Sequence, residues 1–419
     1  MRISFSYIKW MLLTCKLGHS YIFFSQMKRM RIHLSFLIGL LAVCTWVFAD
    51  STSKFDPFLI FDKTNEIVSQ NFYDQTFRGL PWAKLVQKAR LNVSSETTEE
   101  SLKQIINELL SKLKTSHTDF FSNSDQSYWA LKSIFSHKIE GERLQQIGSW
   151  FQNNNGKWFI KNVFEGSPSW KAGLLSGDEV ISVNDKPFSP VKSFLLSNTS
   201  KSLSIQIRRR MDGAITELKI KPRMESFQET LLKASQASTR IITHKKFSIG
   251  YFHLWAGTHE EFKKALIKAA VQMEKDSDAM ILDLRDGFGG SDPSFLNPFF
   301  NTDDEGQPIQ QIFTKPLVAL INGGTRSGKE WITHLLKERA RATLVGVQTA
   351  GYFLAGKPFD IDDGLFLLYL AVNGDGPPGV DLEGKGVKPD IEVPFTFQYS
   401  AGKDPQLKRA LVFLETKLK

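Results

Sequence analysis

Cysteine is almost missing from this chain: its 419 residues contain two, Cys15 and Cys44, and both lie within the first 49 positions. The rest of the sequence therefore has no thiol, which excludes disulfides and a cysteine nucleophile there. Metal-binding patterns such as His-Glu-x-x-His, and clusters of Cys and His, are missing as well. We therefore expect no catalytic metal and no cofactor.

The chain also has little net charge outside its first 49 residues. The sequence has 53 Lys and Arg residues against 44 Asp and Glu residues, a net charge of +9. Residues 1–49 hold six of the basic residues and no acidic ones, which leaves 47 against 44, or +3, for the rest. So small a charge gives no reason to expect nucleic-acid binding.

Residues 1–49 have the pattern of a secretory signal peptide. Lys28, Arg29 and Arg31 form a basic start, the stretch 34–49 is apolar, and its end suits cleavage. Met27 or Met30 would serve as the start of this signal. We expect export to the periplasm or the extracellular space. The alternative is an uncleaved signal, which would be the chain's one attachment to a membrane.

Residues 50–142 are predicted to form an N-terminal helical domain, because apolar side chains recur at helical spacing between 99 and 114. Ser116 and His117 follow in a polar break. A histidine there is read either as a capping charge or as a catalytic base. From 225 to 419, buried-strand patterns alternate with helical patterns, which predicts an α/β domain.

Residues 143–224 have short strand patterns separated by turns rich in Gly and Pro. The segments 166–174 (Gly-Ser-Pro-Ser-Trp-Lys-Ala-Gly-Leu) and 177–185 (Gly-Asp-Glu-Val-Ile-Ser-Val-Asn-Asp) closely resemble a PDZ domain. The resemblance implies that the C-terminus of a protein or peptide substrate adds as a strand beside the sheet, with its carboxylate near residues 147–149. A PDZ domain used only for packing is the alternative.

Ser327 stands between a buried-strand pattern at 317–321 and a helical pattern that begins near Ser327 itself. A serine on such a turn sits at the positive end of the helix, where free N–H groups can stabilise an oxyanion. The glycines at 324 and 328 do not fit the spacing of the α/β-hydrolases. Ser327 is therefore read either as a helix N-cap or as a nucleophile.

Several motifs in one order resemble the C-terminal-processing (tail-specific) peptidases. These are Ser-His-Thr at 116–118, the PDZ-like segments, Asp-Leu-Arg-Asp-x-x-Gly-Gly at 283–290, Asn-Gly-Gly-Thr-Arg-Ser-Gly-Lys-Glu at 322–330 and Glu-Gly-Lys-Gly-Val-Lys-Pro-Asp at 383–390. The likeness covers about residues 60–394. It implies an α/β (α+β) fold: a crotonase/ClpP-like peptidase core, an N-terminal helical segment and an inserted PDZ domain.

The resemblance also implies the site residues. One branch of the family pairs its serine with a lysine, but that place is Tyr352 here, and Lys329 and Lys357 are the near substitutes. The tricorn-core-like branch uses serine, histidine, a second serine and glutamate. Its matches are Ser327 as nucleophile, His117 as base, and Ser116 and Glu383 behind the base. The oxyanion would be held by Gly328 and by an amide of Gly289 or Gly290.

Three functions stay open at this point. The first is an exported serine endopeptidase that acts on unfolded or C-terminal protein segments. The second is a pseudo-peptidase that binds peptides without cleaving them, because Tyr352 and the charges of Arg326 and Lys329 depart from the family pattern. The third is an acyl-transfer or small-ligand enzyme on a crotonase-like core.

Overall fold

The structure, a computed structural model, describes residues 55–195, 201–374, 376–377 and 379–419. The predicted signal peptide lies outside the described residues. The described helices are α1 (Pro57–Asn71), α2 (Trp82–Arg90), α3 (Glu99–Leu110), α4 (Gln126–Ile134), α5 (Pro168–Lys171), α6 (Phe227–Ser238), α7 (Glu260–Asp276), α8 (Gly328–Glu338) and α9 (Pro405–Leu418). Each of these helices is too short or too polar to cross a bilayer.

The described strands fall into four sheets. The strands are β1 (Asp119–Ser122), β2 (Arg143–Gln146), β3 (Ser149–Asn154), β4 (Lys157–Val163), β5 (Glu179–Val183), β6 (Lys186–Pro187), β7 (Leu203–Arg208), β8 (Ile215–Ile220), β9 (Arg223–Ser226), β10 (Arg240–His244), β11 (Phe247–His253), β12 (Ala279–Asp283), β13 (Leu317–Ile321), β14 (Thr343–Gly346), β15 (Ala355–Ile361), β16 (Phe366–Asn373) and β17 (Ile391–Glu392).

The central sheet has the order β10-β11-β12-β13-β14-β17, and its strands from β11 to β17 are parallel. Strands β12 and β13 are buried along their whole length and, apart from Asp283 at the end of β12, apolar, as parallel strands covered on both faces require. Alternate residues enter two cores: Ala319 packs in the core that includes Leu336 of α8, and Val318 in the core that includes Leu414 of α9. The predicted mixed α/β fold is confirmed.

The segment before residue 143 is not helical throughout, and the helical prediction is wrong at residues 119–122, which form strand β1. Strand β1 pairs antiparallel with β16, with Phe120 opposite Leu368, in a sheet of order β1-β16-β15. Four residues, Asp-Phe-Phe-Ser, are too few to give a strand periodicity, and their partner lies about 250 positions away. This pairing joins the polar break at Ser116 and His117 to the C-terminal half of the chain.

Residues 143–226 form an insert with its own core. Strands β2 and β9 pair at its two ends, and the sheet between them has the order β3-β4-β5-β7-β8, with β6 beside β5. Buried side chains such as Ile160, Ile205 and Ile207 fill the centre. Strand β3 is an edge of that sheet, so its outer backbone groups are open to another strand or side chain. The PDZ assignment stays a prediction.

Candidate active site

Ser327 lies at the sharp turn between β13 and α8 and is the N-cap residue of that helix. Its backbone has φ +54° and ψ −134°, a region that residues other than glycine rarely adopt and that costs about 1–3 kcal/mol. Strain of this kind persists only where the surroundings hold it. Here the Ser327 N–H donates to the Tyr352 carbonyl at 2.7 Å. Tyr352, which stands where the other branch of the family has a lysine, thus supports Ser327 through its backbone.

Glu330, which sequence reasoning missed, fixes this turn from below. Its buried carboxylate accepts hydrogen bonds from the Thr349 hydroxyl at 2.5 Å and from the N–H groups of Gly351, Tyr352 and Ser327 at 2.7, 2.8 and 3.2 Å. Burial raises the pKa of Glu330, and these donors act against the rise. The Ser-x-x-Glu spacing of 327–330, a capping-box pattern, is the sequence signal by which it could have been found.

His117 and Ser116 lie in the loop between α3 and β1, and Glu383 follows the buried Leu382 near the C-terminal end of the core. The Ser116 hydroxyl donates to Glu383 Oε2 at 3.0 Å and lies 2.7 Å from His117 Nδ1. A serine hydroxyl has one proton to donate, so Nδ1–H is the donor to Ser116. The tautomer that results leaves His117 Nε2 unprotonated, as a general base requires.

The Glu383 carboxylate is held from three directions. Besides the Ser116 hydroxyl, it accepts from the Ser116 N–H at 2.9 Å and from the N–H groups of Phe353 and Leu354 at 2.7 and 3.1 Å. Two glycines follow it in the sequence, yet the Gly384 N–H is tied to the Gly351 carbonyl. The carboxylate is therefore fixed in one orientation, and the structure brings together the three residues placed behind the nucleophile.

The electrostatics of the site keep His117 neutral. Burial lowers its pKa from 6.5 to about 4, the nearby positive charge of Arg326 adds to the decrease, and Glu383 opposes it. The His117 side chain is buried and lies 5.3 Å from the Tyr369 ring, measured between ring centroids. At neutral pH the imidazole is therefore unprotonated, which is the form that can accept a proton.

Ser327 and His117 line the same cavity of about 360 Å³. Its other walls include Phe121, Leu131, Phe135, Gly289 and Gly290. Within the described residues, no hydrogen bond joins the Ser327 hydroxyl to His117. In hydrolases without bound substrate this contact is often long, and it tightens in the substrate complex.

The predicted oxyanion donors lie against the nucleophile. A Cβ built on Gly289 would come within 2.5 Å of Ser327 Cβ and 2.9 Å of the Gly328 nitrogen. A Cβ on Gly328 would lie 3.0 Å from the Gly290 nitrogen. Side chains at these positions would fill the space beside Ser327, so the glycines let two backbone segments approach closely. Gly328 is the first residue of α8, where N–H groups have no partner inside the helix.

Lys329 points away from the cavity. Its side chain is fully buried, and its ammonium donates to the carbonyls of Leu254, at 3.0 Å, and of Asp286. It therefore supports the turn that begins at Asp286, and it is not a partner of Ser327. Burial lowers the pKa of Lys329 to about 7, against the pull of nearby aspartates.

We expect Lys329 to make the free energy of unfolding rise with pH. Between about pH 7 and 10 the unfolded chain holds a proton on this lysine that the folded chain has lost. The free energy of unfolding therefore increases as the pH rises. One proton corresponds to about 1.4 kcal/mol per pH unit. Urea unfolding of wild type and Lys329→Met at several pH values measures the difference in slope. Parallel slopes in this range would contradict the assignment.

The insert contacts the glycine turn directly. Lys161 and Asn162 of β4 reach Asp286, whose carboxylate lies 3.0 Å from the Lys161 ammonium and accepts from the Asn162 amide at 2.9 Å. Despite its burial, these partners lower the pKa of Asp286. Sequence reasoning missed this contact because nothing local marks two residues 124 positions apart as neighbours. No group of three or more potential metal ligands occurs in the described ranges.

Comparison with known proteins identifies a matching family and several sequence relatives. A model of Peptidase family S41 matches residues 299–393. The "Carboxyl-terminal-processing peptidase 1, chloroplastic" of Arabidopsis thaliana is 23% identical, and the match covers 79% of this chain and 71% of the relative. The "Carboxyl-terminal-processing protease" of a Synechocystis strain is 24% identical, with 81% and 84% covered.

Solved structures agree with the fold. The tricorn protease matches with a TM-score of 0.51 and 18% identity, over 86% of this chain and 37% of that one. Mature CPAF in complex with lactacystin matches with a TM-score of 0.52 and 13% identity, over 86% and 99%. At such identities the likeness concerns architecture alone. Taken with the family match at residues 299–393 and the sequence relatives, it supports one conclusion: this chain is similar to peptidase family S41 and is a serine peptidase of the C-terminal-processing type.

Proposed function

We propose that this protein is an active endopeptidase that cleaves unfolded or C-terminal protein segments, with Ser327 as nucleophile and His117 as general base. The observation that carries the proposal is the hydrogen-bonded series Glu383–Ser116–His117, which ends in the cavity that contains Ser327. A solvated capping histidine would need neither a buried ring nor a carboxylate held by four donors.

The proposed reaction begins when His117 Nε2 takes the proton of the Ser327 hydroxyl and Oγ attacks the carbonyl carbon of the scissile bond. The negative oxygen then accepts hydrogen bonds from the Gly328 amide and from that of Gly289 or Gly290. The imidazolium gives its proton to the leaving amine, and the C–N bond breaks. Water, deprotonated by Nε2, then cleaves the acyl-enzyme and restores Ser327.

Ser116 and Glu383 act through His117 in this scheme. The Glu383 carboxylate stabilises the imidazolium through the Ser116 hydroxyl, and the same hydroxyl keeps Nδ1 protonated. Glu330 is a positioning residue, because it binds the Ser327 N–H and three groups of the loop 349–352. Together these contacts hold the two reacting side chains in place before substrate arrives.

The substrate is proposed to be a protein whose C-terminal segment is captured by the insert. A cleft of about 920 Å³ lies between the N-terminal segment and the edge strand β3, with Lys103, Asp125, Trp150, Phe151 and Phe188 among its lining residues. The Gln126 side chain already binds this edge: its amide donates to the Ser149 carbonyl at 3.0 Å and accepts from the Phe151 N–H at 2.9 Å. A substrate strand added there would replace Gln126.

Export remains part of the proposal. Its support is the basic start and apolar run within residues 1–49, which precede the peptidase region. The periplasm or the extracellular space is the destination that such a signal implies. The pseudo-peptidase alternative loses its main argument, since Tyr352 supports Ser327 through its backbone and Lys329 faces the interior.

Covalent labelling tests the nucleophile. A biotinylated fluorophosphonate should modify Ser327 in the native protein, as read from the mass of the peptide that carries it after cleavage at glutamate residues, because trypsin would cut at Arg326 and Lys329. The label should be lost after heat denaturation and in the variant His117→Ala, since both remove the activating base. Ser291→Ala is the matched control: Ser291 lies beside Gly328, and its hydroxyl has no partner among the described residues. A native protein that resists the label at Ser327 would support the pseudo-peptidase.

A further inference from the structure

Arg326, the residue immediately before the nucleophile, lines the active-site cavity and is half-buried there. Its guanidinium lies 4.8 Å from the centre of the Phe288 ring, and its Nε and Nη2 atoms donate to the Gly287 carbonyl at 3.0 and 2.9 Å. These contacts fix the side chain in one position. Arginine has five N–H donors, so most of its donors stay available to a ligand.

No carboxylate of the described chain pairs with this cation. Asp286, a nearby acid, is engaged by Lys161 and Asn162 of the insert. Asp119 lines the same cavity and acts on Arg326 at longer range, without an ion pair between them. Burial lowers the pKa of Arg326, and the nearby acidic groups, Asp286 and Asp119 among them, act against the decrease.

The other described walls of the cavity are mainly apolar and give the guanidinium no charged partner. Phe121, Leu131, Ile134, Phe135 and Tyr369 give it a mainly apolar surface. A half-buried guanidinium in such surroundings gains most from a ligand that supplies a carboxylate, because the planar fork binds both oxygens and each charge then offsets the other. Uncharged peptide groups would leave that charge without a partner.

We propose that Arg326 is a specificity-determining residue that binds a carboxylate of the substrate close to the scissile bond. The inference rests on the proposed function, in that the substrate is a peptide bound beside Ser327. The carboxylate comes from one of two sources, the α-carboxylate of a chain end or the side chain of Asp or Glu, and the chemistry of recognition is the same. An apolar residue beside it fills the remaining cavity.

The experiment uses short, internally quenched peptides that share an apolar centre. One pair differs in the chain end, free acid against amide, and a second, amidated pair has Glu or Gln next to the centre. For wild type we expect kcat/KM to be about tenfold or more higher for the charged member of at least one pair. In Arg326→Gln the ratio within that pair should approach one. The ratio is measured within one enzyme, so a general loss of structure does not imitate this result.

Arg341→Gln is the matched control variant. Arg341 also donates to backbone carbonyls, those of Phe299, Phe313 and Lys315, and lies against two aromatic rings, but it does not line the cavity. Its ratios should equal those of wild type. A preference for the free acid that survives in Arg326→Gln would assign the carboxylate to the edge strand β3 and overturn the proposal. Equal rates for both members of both pairs in wild type would overturn it too.

Binding separates this inference from the proposed function. The same peptides, labelled with a fluorophore, are titrated with Ser327→Ala and with Ser327→Ala/Arg326→Gln, and anisotropy gives the dissociation constants. A charged-to-neutral preference that the second substitution abolishes supports Arg326 even if wild type cleaves nothing, which would count against the catalytic proposal alone. Cleavage without any charge preference in rate or affinity would leave the peptidase in place and sink the role of Arg326.

Discussion

Replacing Ser327 by alanine should lower kcat/KM for peptide hydrolysis by about 10⁴- to 10⁶-fold, because the acyl group then has no oxygen to which it can be transferred. His117→Ala should lose about as much, since an unassisted hydroxyl is a poor nucleophile at neutral pH. The two losses should not multiply in the double variant, because the residues act as a unit. Initial rates on an unfolded protein substrate, followed by mass spectrometry, measure all three.

The fold should survive these substitutions. Alanine at 327 keeps the backbone N–H that binds Tyr352 and Glu330, so the midpoint of thermal unfolding should stay close to that of wild type. Ser291→Ala should keep full activity. Full hydrolysis by Ser327→Ala would require a different nucleophile.

Because the pKa of His117 is about 4, wild-type kcat/KM should stay high in mildly acidic buffer and fall only near that pH, where protonation removes the base.

The parts of the fold that follow local pattern were predictable. Strand β13 and helix α8 are a buried apolar run and an amphipathic face, and both occur where the periodicity indicated. The same holds for β12 and α7, which belong to the alternating strand and helical patterns predicted for residues 225–419. These elements carry Ser327 and precede the glycine turn, so one half of the site was accessible from sequence pattern.

The other half of the site depends on contacts between distant residues. Ser116 and Glu383 were identified through a family resemblance, since no local pattern relates positions 267 residues apart. Strand β1 was missed because its pairing with β16, and not its own four residues, makes it a strand. Gln126 was missed for the same reason: its amide binds two backbone groups of β3, more than 20 positions along the chain.

The three charged residues near Ser327 in the sequence have three different environments. Glu330 satisfies four donors below the nucleophile, Lys329 binds carbonyls behind the glycine turn, and Arg326 faces the cavity. Adjacent positions on a helix point in different directions, which explains why Lys329 and Glu330 have different surroundings although they are neighbours in one motif. Sequence proximity to a nucleophile is thus a weak guide to function.

Breaking the series behind His117 should give the second large loss. Ser116→Ala and Glu383→Gln should each lower kcat by roughly 10²- to 10⁴-fold, because the first removes the acceptor that sets the tautomer of His117 and the second removes the charge that stabilises the imidazolium. KM should change little, since neither side chain lines the cavity. Thr118→Ala, which deletes a neighbouring buried hydroxyl outside the series, is the control and should keep nearly full activity.

The double variant tests whether Glu383, Ser116 and His117 act as one functional unit. If Glu383 acts on His117 through the Ser116 hydroxyl, Ser116→Ala/Glu383→Gln should lose little more than the worse single variant. If Glu383 instead matters because it holds the Phe353 and Leu354 amides, its loss should multiply with that of Ser116 and should also lower the free energy of unfolding. Ser116→Thr keeps a hydroxyl at this position and should recover part of kcat, whereas a structural role for the serine backbone would give no difference between threonine and alanine.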